Sequence, residues 1–263
     1  MRWFTAVVLA VALFGACLLA GTACGTRSSA DTDAGDGSFS PPSCGSGPYA
    51  TINALVTSYT TGMPVEGVSL TLDPSPCSGT TWMTDVTGSA TVKVTTGVAI
   101  NPRAEAVGYL TERTGEQIYR GDFDSGAPML PTLLVGLLPH WSATAPDVLV
   151  VVFVDSADAG ADAGPCQTVS GATVSVVGHP EAVVTYYQTG GDGGAPSPDS
   201  TLTATTDIGL AEVSGLAGGA TVTLQVASST CPTVSFTSYP HTGRYTLENG
   251  VLTGALARLV PVP

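Results

Sequence analysis

The sequence predicts an all-β protein: two tandem Greek-key-type β-sandwich domains behind a signal peptide and a disordered tether. Three observations predict it. Two stretches follow one plan, the sign of a repeated unit. The first runs Pro64-Val-Glu-Gly-Val-Ser-Leu-Thr-Leu72, then Thr84-Asp-Val-Thr-Gly88 ahead of Ser89-Ala-Thr-Val-Lys-Val94; the second runs Val169-Ser-Gly-Ala-Thr-Val-Ser-Val-Val177, then Thr206-Asp-Ile-Gly209 ahead of Leu210-Ala-Glu-Val213. Apolar residues alternate with polar ones at period two in several segments, the pattern of half-buried antiparallel strands. After the leader no segment reads as an amphipathic helix, and roughly 100 residues per unit suits a small sandwich.

The first 23 residues read as a signal peptide. Arg2 gives a positive start, and Thr5 to Leu19 is an apolar run shorter than the ~20 residues a spanning helix needs. Gly21-Thr-Ala-Cys24 resembles a bacterial lipobox, which implies a lipid on Cys24 and a membrane anchored through it. The lipobox pattern favours a Leu-like residue where this chain has Gly21, and cleavage after Ala23 to give a soluble exported protein stays open. The expected address is the outer membrane or cell surface, lipid-anchored; the alternative is periplasmic or secreted. Residues 24–47 read as a flexible acidic tether, rich in Asp, Gly, Ser and Pro without apolar periodicity.

The net charge is −13 and Lys93 is the only lysine. Phosphate neutralisation needs clustered Lys or Arg, so nucleic acid is excluded as a partner and anionic membrane surfaces are disfavoured. Of six cysteines, Cys17 leaves with the leader and Cys24 takes the lipid. Cys44, Cys77, Cys166 and Cys231 remain, and export makes disulfides the expectation. Three connectivities are open. Cys44–Cys77 with Cys166–Cys231 is preferred because each bridge then stays inside one repeat. No two cysteines have zinc-ligand spacing and no histidine sits beside them, so no metal is expected.

Domain one is read as residues 48–140. Ala50 to Ser58 is rich in β-formers. Val68, Leu70 and Leu72 share one face, as do Ala90, Val92 and Val94, with Lys93 pointing outward. Gly62-Met-Pro64 and Thr87-Gly88 supply turns. Ala104 to Thr111 and Leu130 to Leu138 read as later strands, the second as a central strand covered on both faces. Residues 141–146 form a linker. Domain two is read as residues 147–263, with strands at Val148 to Val154, Ala172 to Val176 and Val222 to Val226. Thr253 to Pro261 echoes Thr132 to Pro139. Ser156 to Pro165 and Gln188 to Ser200 read as exposed loops.

On these segments each copy resembles the carboxypeptidase regulatory-like domain, a transthyretin-like sandwich. Pro64-Val-Glu-Gly-Val68, Thr84-Asp-Val-Thr-Gly88 and Ala106-Val-Gly-Tyr109 carry the resemblance in the first copy. Val169-Ser-Gly-Ala-Thr-Val174 and Thr206-Asp-Ile-Gly209 carry it in the second, whose signature reads one residue short. The resemblance implies a sandwich fold and a non-catalytic, accessory character, and it names no ligand.

The remaining chemistry is mostly excluded. Asp85 and Asp207 read as turn residues that bond backbone N–H groups two positions on. Asp31, Asp33 and Asp36, like Asp155, Asp158 and Asp162, lack the spacing and closing Glu of an EF-hand loop. Phe123-Asp-Ser-Gly-Ala127 matches the core of an aspartic-protease motif without a second carboxylate to share a proton, so Asp122 and Asp124 read as a polar turn. His140, His179 and His241 stand apart from any marked nucleophile. A Lys–Asn isopeptide bond from Lys93 to Asn53 or Asn101, with Glu66 or Glu105 as acid, requires an inward lysine, which the alternation denies. Trp82, Trp141, Tyr186, Tyr187 and Tyr239 are the rings available for a carbohydrate platform. The expected function is a non-enzymatic surface or periplasmic lipoprotein with a structural or adhesive role; the alternative is a carbohydrate- or protein-binding module of the cell envelope, its partner unknown. No cofactor is expected.

Overall fold

A computed structural model describes residues 47–77, 80–154, 168–190, 195–229, 231, 233–235 and 241–260. In the first half, β1 (Tyr49–Ser58) is flanked by β4 (Ser89–Thr95), antiparallel, and by β8 (Phe123–Met129), parallel. Alternation sorts the side chains of β4 as predicted: Ala90, Val92 and Val94 are buried while Thr91 and Lys93 are exposed. The facing layer is β3 (Trp82–Met83), β2 (Ser69–Asp73), β5 (Ala99–Glu105) and β6 (Glu112–Thr114), with β7 (Gln117–Ile118) also on β5. Ala50, Ile52, Val92, Val94 and Ile100 fill the space between the layers, with Leu70, Leu72 and Trp82 packed against them.

The second half repeats this plan. β9 (Asp147–Val154) takes the place of β1; β13 (Leu210–Ser214) runs antiparallel beside it and β17 (Leu252–Val260) parallel on its other side. Two strands extend the outer edge, β11 (Val183–Gln188) on β13 and β12 (Ser197–Asp199) on β11, while β15 (Thr233–Ser235) pairs with β17. The facing layer is β10 (Ala172–Val176), β14 (Thr221–Ser228) and β16 (Arg244–Thr246). Val148, Val150, Val152, Val174, Leu224 and Leu259 belong to its core.

The duplication extends to single atoms. Thr84 Oγ1 donates to Val65 O at 2.7 Å and accepts from Val68 N at 2.9 Å. Thr205 Oγ1 donates to Val169 O at 2.5 Å and accepts from Ala172 N at 3.0 Å. The Val56 N–H donates to Gly88 O at 2.8 Å, and the Val152 N–H to Gly209 O at 2.7 Å. Thr205, not Thr206, is therefore the counterpart of Thr84. The second signature is Thr205-Thr-Asp-Ile-Gly209 and has the same length as the first; what differs is that its aspartate sits one place later. Both glycines have positive φ, +72° and +60°, and a Cβ at either would lie 2.4 or 2.2 Å from the carbonyl oxygen of Val56 or Val152.

Several expectations fail for identifiable reasons. Thr132–Leu137 is a 3-10 turn rather than a strand, with Leu133 exposed. Its apolar run matches a buried strand in composition alone, and short runs do not separate the two. The counterpart of β17 is β8, which also lies parallel to the first strand of its half. Asp124 is accordingly in a strand, not a turn. Its surroundings look polar because residues 124, 126 and 128 are exposed. β5 ends at Glu105, and Ala106-Val-Gly-Tyr109 forms a turn with Gly108 at φ +84°. Gln188 to Ser200 is not wholly loop, since Tyr186–Gln188 pairs with Ser197–Asp199. The Ser156 to Pro165 loop lies outside the described residues.

One sheet runs through both halves. β17 pairs in parallel with β6 through Leu252↔Glu112, Thr253↔Arg113 and Gly254↔Thr114. Residues flanking that ladder add Leu252 N–H to Thr111 O at 2.9 Å and Glu116 N–H to Arg244 O at 2.7 Å. The result is an 11-stranded sheet that serves as one wall of each sandwich.

Candidate functional site

The carboxyls withdrawn furthest from water lie on the face of this sheet turned away from the second core. β13 is buried at all five positions, so its inward and outward parities are both covered. Ala211 and Val213 enter the core; Glu212, of opposite parity, faces the strap formed by residues 130–141. Leu110, Leu130, Leu138 and Leu252 form the apolar part of this region, with Tyr59, Leu149 and Trp141 around them. Asp147 and Glu212 are 1% and 0% exposed.

The strap is fastened to these carboxyls. The His140 N–H donates to Glu212 Oε1 at 3.2 Å. The Tyr187 hydroxyl lies 2.7 Å from Leu137 O and 3.0 Å from Glu212 Oε2. Asp147 Oδ1 accepts the Val148 N–H at 2.9 Å, and its Oδ2 meets no donor. Burial, then the hydrogen bond and the charge of Glu212, push the Asp147 carboxyl far above the ordinary carboxylate range. Burial likewise raises Tyr187 above its ordinary value. Glu112 lies across Leu252 from Asp147 in register. Its carboxyl turns inward onto the Leu130 N–H, and burial pushes it up to about 8 despite that bond. A cleft of about 30 Å³ runs beside the cluster, lined by Tyr59, Leu130, Leu138, Leu149, Tyr187 and Leu210.

On the other face of β6, charges bridge the halves. Arg103 contacts Glu105 at 2.6 Å and Glu248 at 2.5 Å; Arg113 reaches Asp73 at 3.3 Å and Glu248 at 3.4 Å. The Arg113 side chain is only 9% exposed, so it depends on these partners.

This arrangement can hold two sandwiches in register. Asp147 and Glu212, at 1% and 0% exposure, are closed off from solvent. Sequence reasoning missed Asp147, Glu212 and Glu112, although a carboxyl inside the apolar strand Leu210-Ala-Glu-Val213 is itself a signal: a strand apolar at both parities is covered on both faces.

The sequence-predicted residues do not assemble into a site. Asp85 is a turn residue as read, its Oδ1 accepting from Thr87 N, Thr87 Oγ1 and Ser89 N at 2.8, 2.6 and 3.0 Å, which lowers its pKa. Asp207 instead accepts from Thr189 Oγ1 at 2.9 Å. Asp122 and Asp124 brace β1 through Thr51 N and Asn53 Nδ2 at 2.7 and 2.9 Å. Lys93 is exposed opposite Thr51, turned outward as the alternation implies. His140 lies on the strap, His179 pairs with Glu181 at 2.8 Å, and His241 approaches Gln117 at 3.5 Å. Tyr186 and Tyr187 are 5% and 1% exposed, Trp82 and Trp141 half-buried, so these four do not form an open platform. Cys77 and Cys231 are buried and disulfide-bonded. Cys24, Cys44 and Cys166 lie outside the described residues, as do Tyr239 and the acidic runs at Asp31, Asp33, Asp36 and at Asp155, Asp158, Asp162. Among the described residues no group of three His, Cys, Asp or Glu converges to hold a metal ion, and no helix is long and apolar enough to cross a membrane.

No family model matches the chain, and no curated protein matches it. Solved structures similar to it include a cohesin–X-dockerin complex of Acetivibrio cellulolyticus (20% identity, TM-score 0.24, 31% of this chain and 56% of that one). The Bacillus anthracis TIE protein matches at 11% identity and TM-score 0.24, over 81% of this chain and 34% of that one. The shaft pilin SpaA of Lactobacillus rhamnosus GG matches at 10% identity and TM-score 0.23, over 82% of this chain and 98% of that one. The chain thus spans about half and about a third of the first two. These scores are too low to carry a function to this chain.

Proposed function

We propose that the chain is an exported, non-enzymatic module of the cell envelope with a structural or adhesive role, built from two carboxypeptidase regulatory-like sandwiches. The observation that carries this reading is the junction. Glu212, Arg103, Arg113 and the β6–β17 ladder all bond from one half to the other. The matching threonine and glycine contacts in both copies support the two-module part of the reading. The lipid on Cys24 and the bridges Cys44–Cys77 and Cys166–Cys231 complete the proposal: an anchor, a tether of residues 24–47, and two closed domains.

Intact mass of the mature protein, with and without reductant, tests the anchor and the bridges together. Diacylglycerol on Cys24 and two disulfides are expected, and Cys24→Ser is expected to lose envelope association. An unmodified N-terminus with unchanged fractionation refutes the anchor.

A further inference from the structure

We propose that Asp147 and Glu212 hold a proton between them, and that this proton fastens the strap of residues 130–141 to the second sandwich. The cluster has fewer donors than acceptors. Tyr187 has one hydroxyl proton and two acceptors within reach, Leu137 O at 2.7 Å and Glu212 Oε2 at 3.0 Å. Asp147 lies two residues before Leu149, the register partner of Glu212, so the two carboxyls share one face of neighbouring strands, and Asp147 Oδ2 has no N–H or O–H directed at it. Two carboxylates side by side on one face repel, and both are buried at 0–1% exposure, where an unpaired charge is costly. A proton on the pair removes the repulsion and supplies the missing donor. It also leaves the Tyr187 proton for the shorter contact, Leu137 O.

The groups facing the pair are few. Tyr187 reaches it from β11, and the His140 N–H from the strap, the His140 ring itself turning to Thr185 Oγ1 at 3.1 Å. Tyr59 acts on Tyr187 from the end of β1. Glu112 lies beyond Leu252 on β6. Arg113, next on β6, has the opposite parity and is taken by Asp73 and Glu248. None of these groups is a fixed cation, so nothing among them compensates a second negative charge.

When the proton leaves, the ionised pair draws the Tyr187 hydroxyl proton toward Glu212. Leu137 O then loses its donor, and the strap loosens at residues 137–140. The strap is thus a pH-sensitive fastener between the halves, closed in acid and neutral solution and released in alkali.

Carboxyl-carbon NMR of the full chain, labelled at Asp Cγ and Glu Cδ, tests this. At pH 7 the wild type is expected to show a neutral-carboxyl signal that vanishes in Asp147→Asn, ionises at lower pH in Glu212→Gln and is unchanged in Glu112→Gln. The His140 amide is expected to shift at the midpoint of that signal. Should a variant fail to fold, the wild type decides by the through-space contact of the neutral carbon to the Tyr187 ring. Ionisation of every carboxyl near that ring by pH 6, or a His140 amide silent through the transition, overturns the proposal.

Discussion

Replacing Gly88 by alanine separates two costs that usually arrive together. Gly62 and Gly88 have nearly the same backbone, at φ +65° and +72°. They differ in room: a Cβ at Gly62 meets nothing within 4 Å, whereas at Gly88 it lies 2.4 Å from Val56 O and 3.0 Å from Pro64 Cβ. Left-handed alanine costs ~1–2 kcal/mol, partly offset by ~0.4–1 kcal/mol from a stiffer unfolded chain. Gly62→Ala is therefore expected to cost ~1 kcal/mol. Gly88→Ala must in addition push back a carbonyl that accepts the Val65 N–H at 3.0 Å, and disturb the Val56 N–H to Gly88 O bond at 2.8 Å. Two weakened hydrogen bonds at ~0.5–1.5 kcal/mol each bring the total to ~2–4 kcal/mol. At ~2–4 °C per kcal/mol for a folded unit of this size, Tm falls by ~5–15 °C for Gly88→Ala and ~2–4 °C for Gly62→Ala. Calorimetry of both variants is the assay. Equal shifts would refute the claim that the β1 carbonyl, rather than backbone conformation, dictates glycine at the end of the signature.

Three further outcomes follow from the geometry. Thr84→Val removes the hydroxyl between Val65 O and Val68 N and is expected to cost ~1–3 kcal/mol in denaturant unfolding, with Thr84→Ser near neutral; Thr205 is expected to behave alike. Glu248→Gln weakens both arginine bridges at once and is expected to cost ~1–2 kcal/mol, against no more than ~0.5 for the exposed Glu105→Gln, in the same assay. The folded Glu112 carboxyl titrates at about 8 rather than its ordinary 4.5, so its stabilising share is full below pH 4.5 and fades as pH rises to about 8. That gap sets a ceiling of ~5 kcal/mol, and Glu112→Gln is expected to flatten this part of the stability–pH curve.

Much of the fold was legible because alternation reports burial directly. β4, β10 and β14 each expose one parity and bury the other, and each was readable from the chain. The failures cluster where that signal is absent. Thr132–Leu137 is apolar at every position, and its flanking Pro131 and Pro139 bound a turn as readily as a strand. Among the described residues β8 borders β1 alone, and it carries Gly126 and Pro128, so it looks like a loop. The offset between Thr205 and Thr206 needed hydrogen bonds to resolve, since neighbouring threonines are indistinguishable in a string. The buried acids went unseen because a lone carboxyl in a sequence looks solvated. What withdraws Glu212 from water is a strap that begins about eighty residues earlier in the chain, and no local window spans that.

The parallel ladder between Leu252–Gly254 and Glu112–Thr114 also orders events during synthesis. Those three residues leave the ribosome long after the first half is complete. Until then β6 presents unsatisfied backbone donors and acceptors along one side, and Leu110, Leu130 and Leu138 have no Leu252 to cover them. A polypeptide stopped at residue 140 therefore ends with a sticky margin, and the final strand acts as a late seal that closes two modules in a single step.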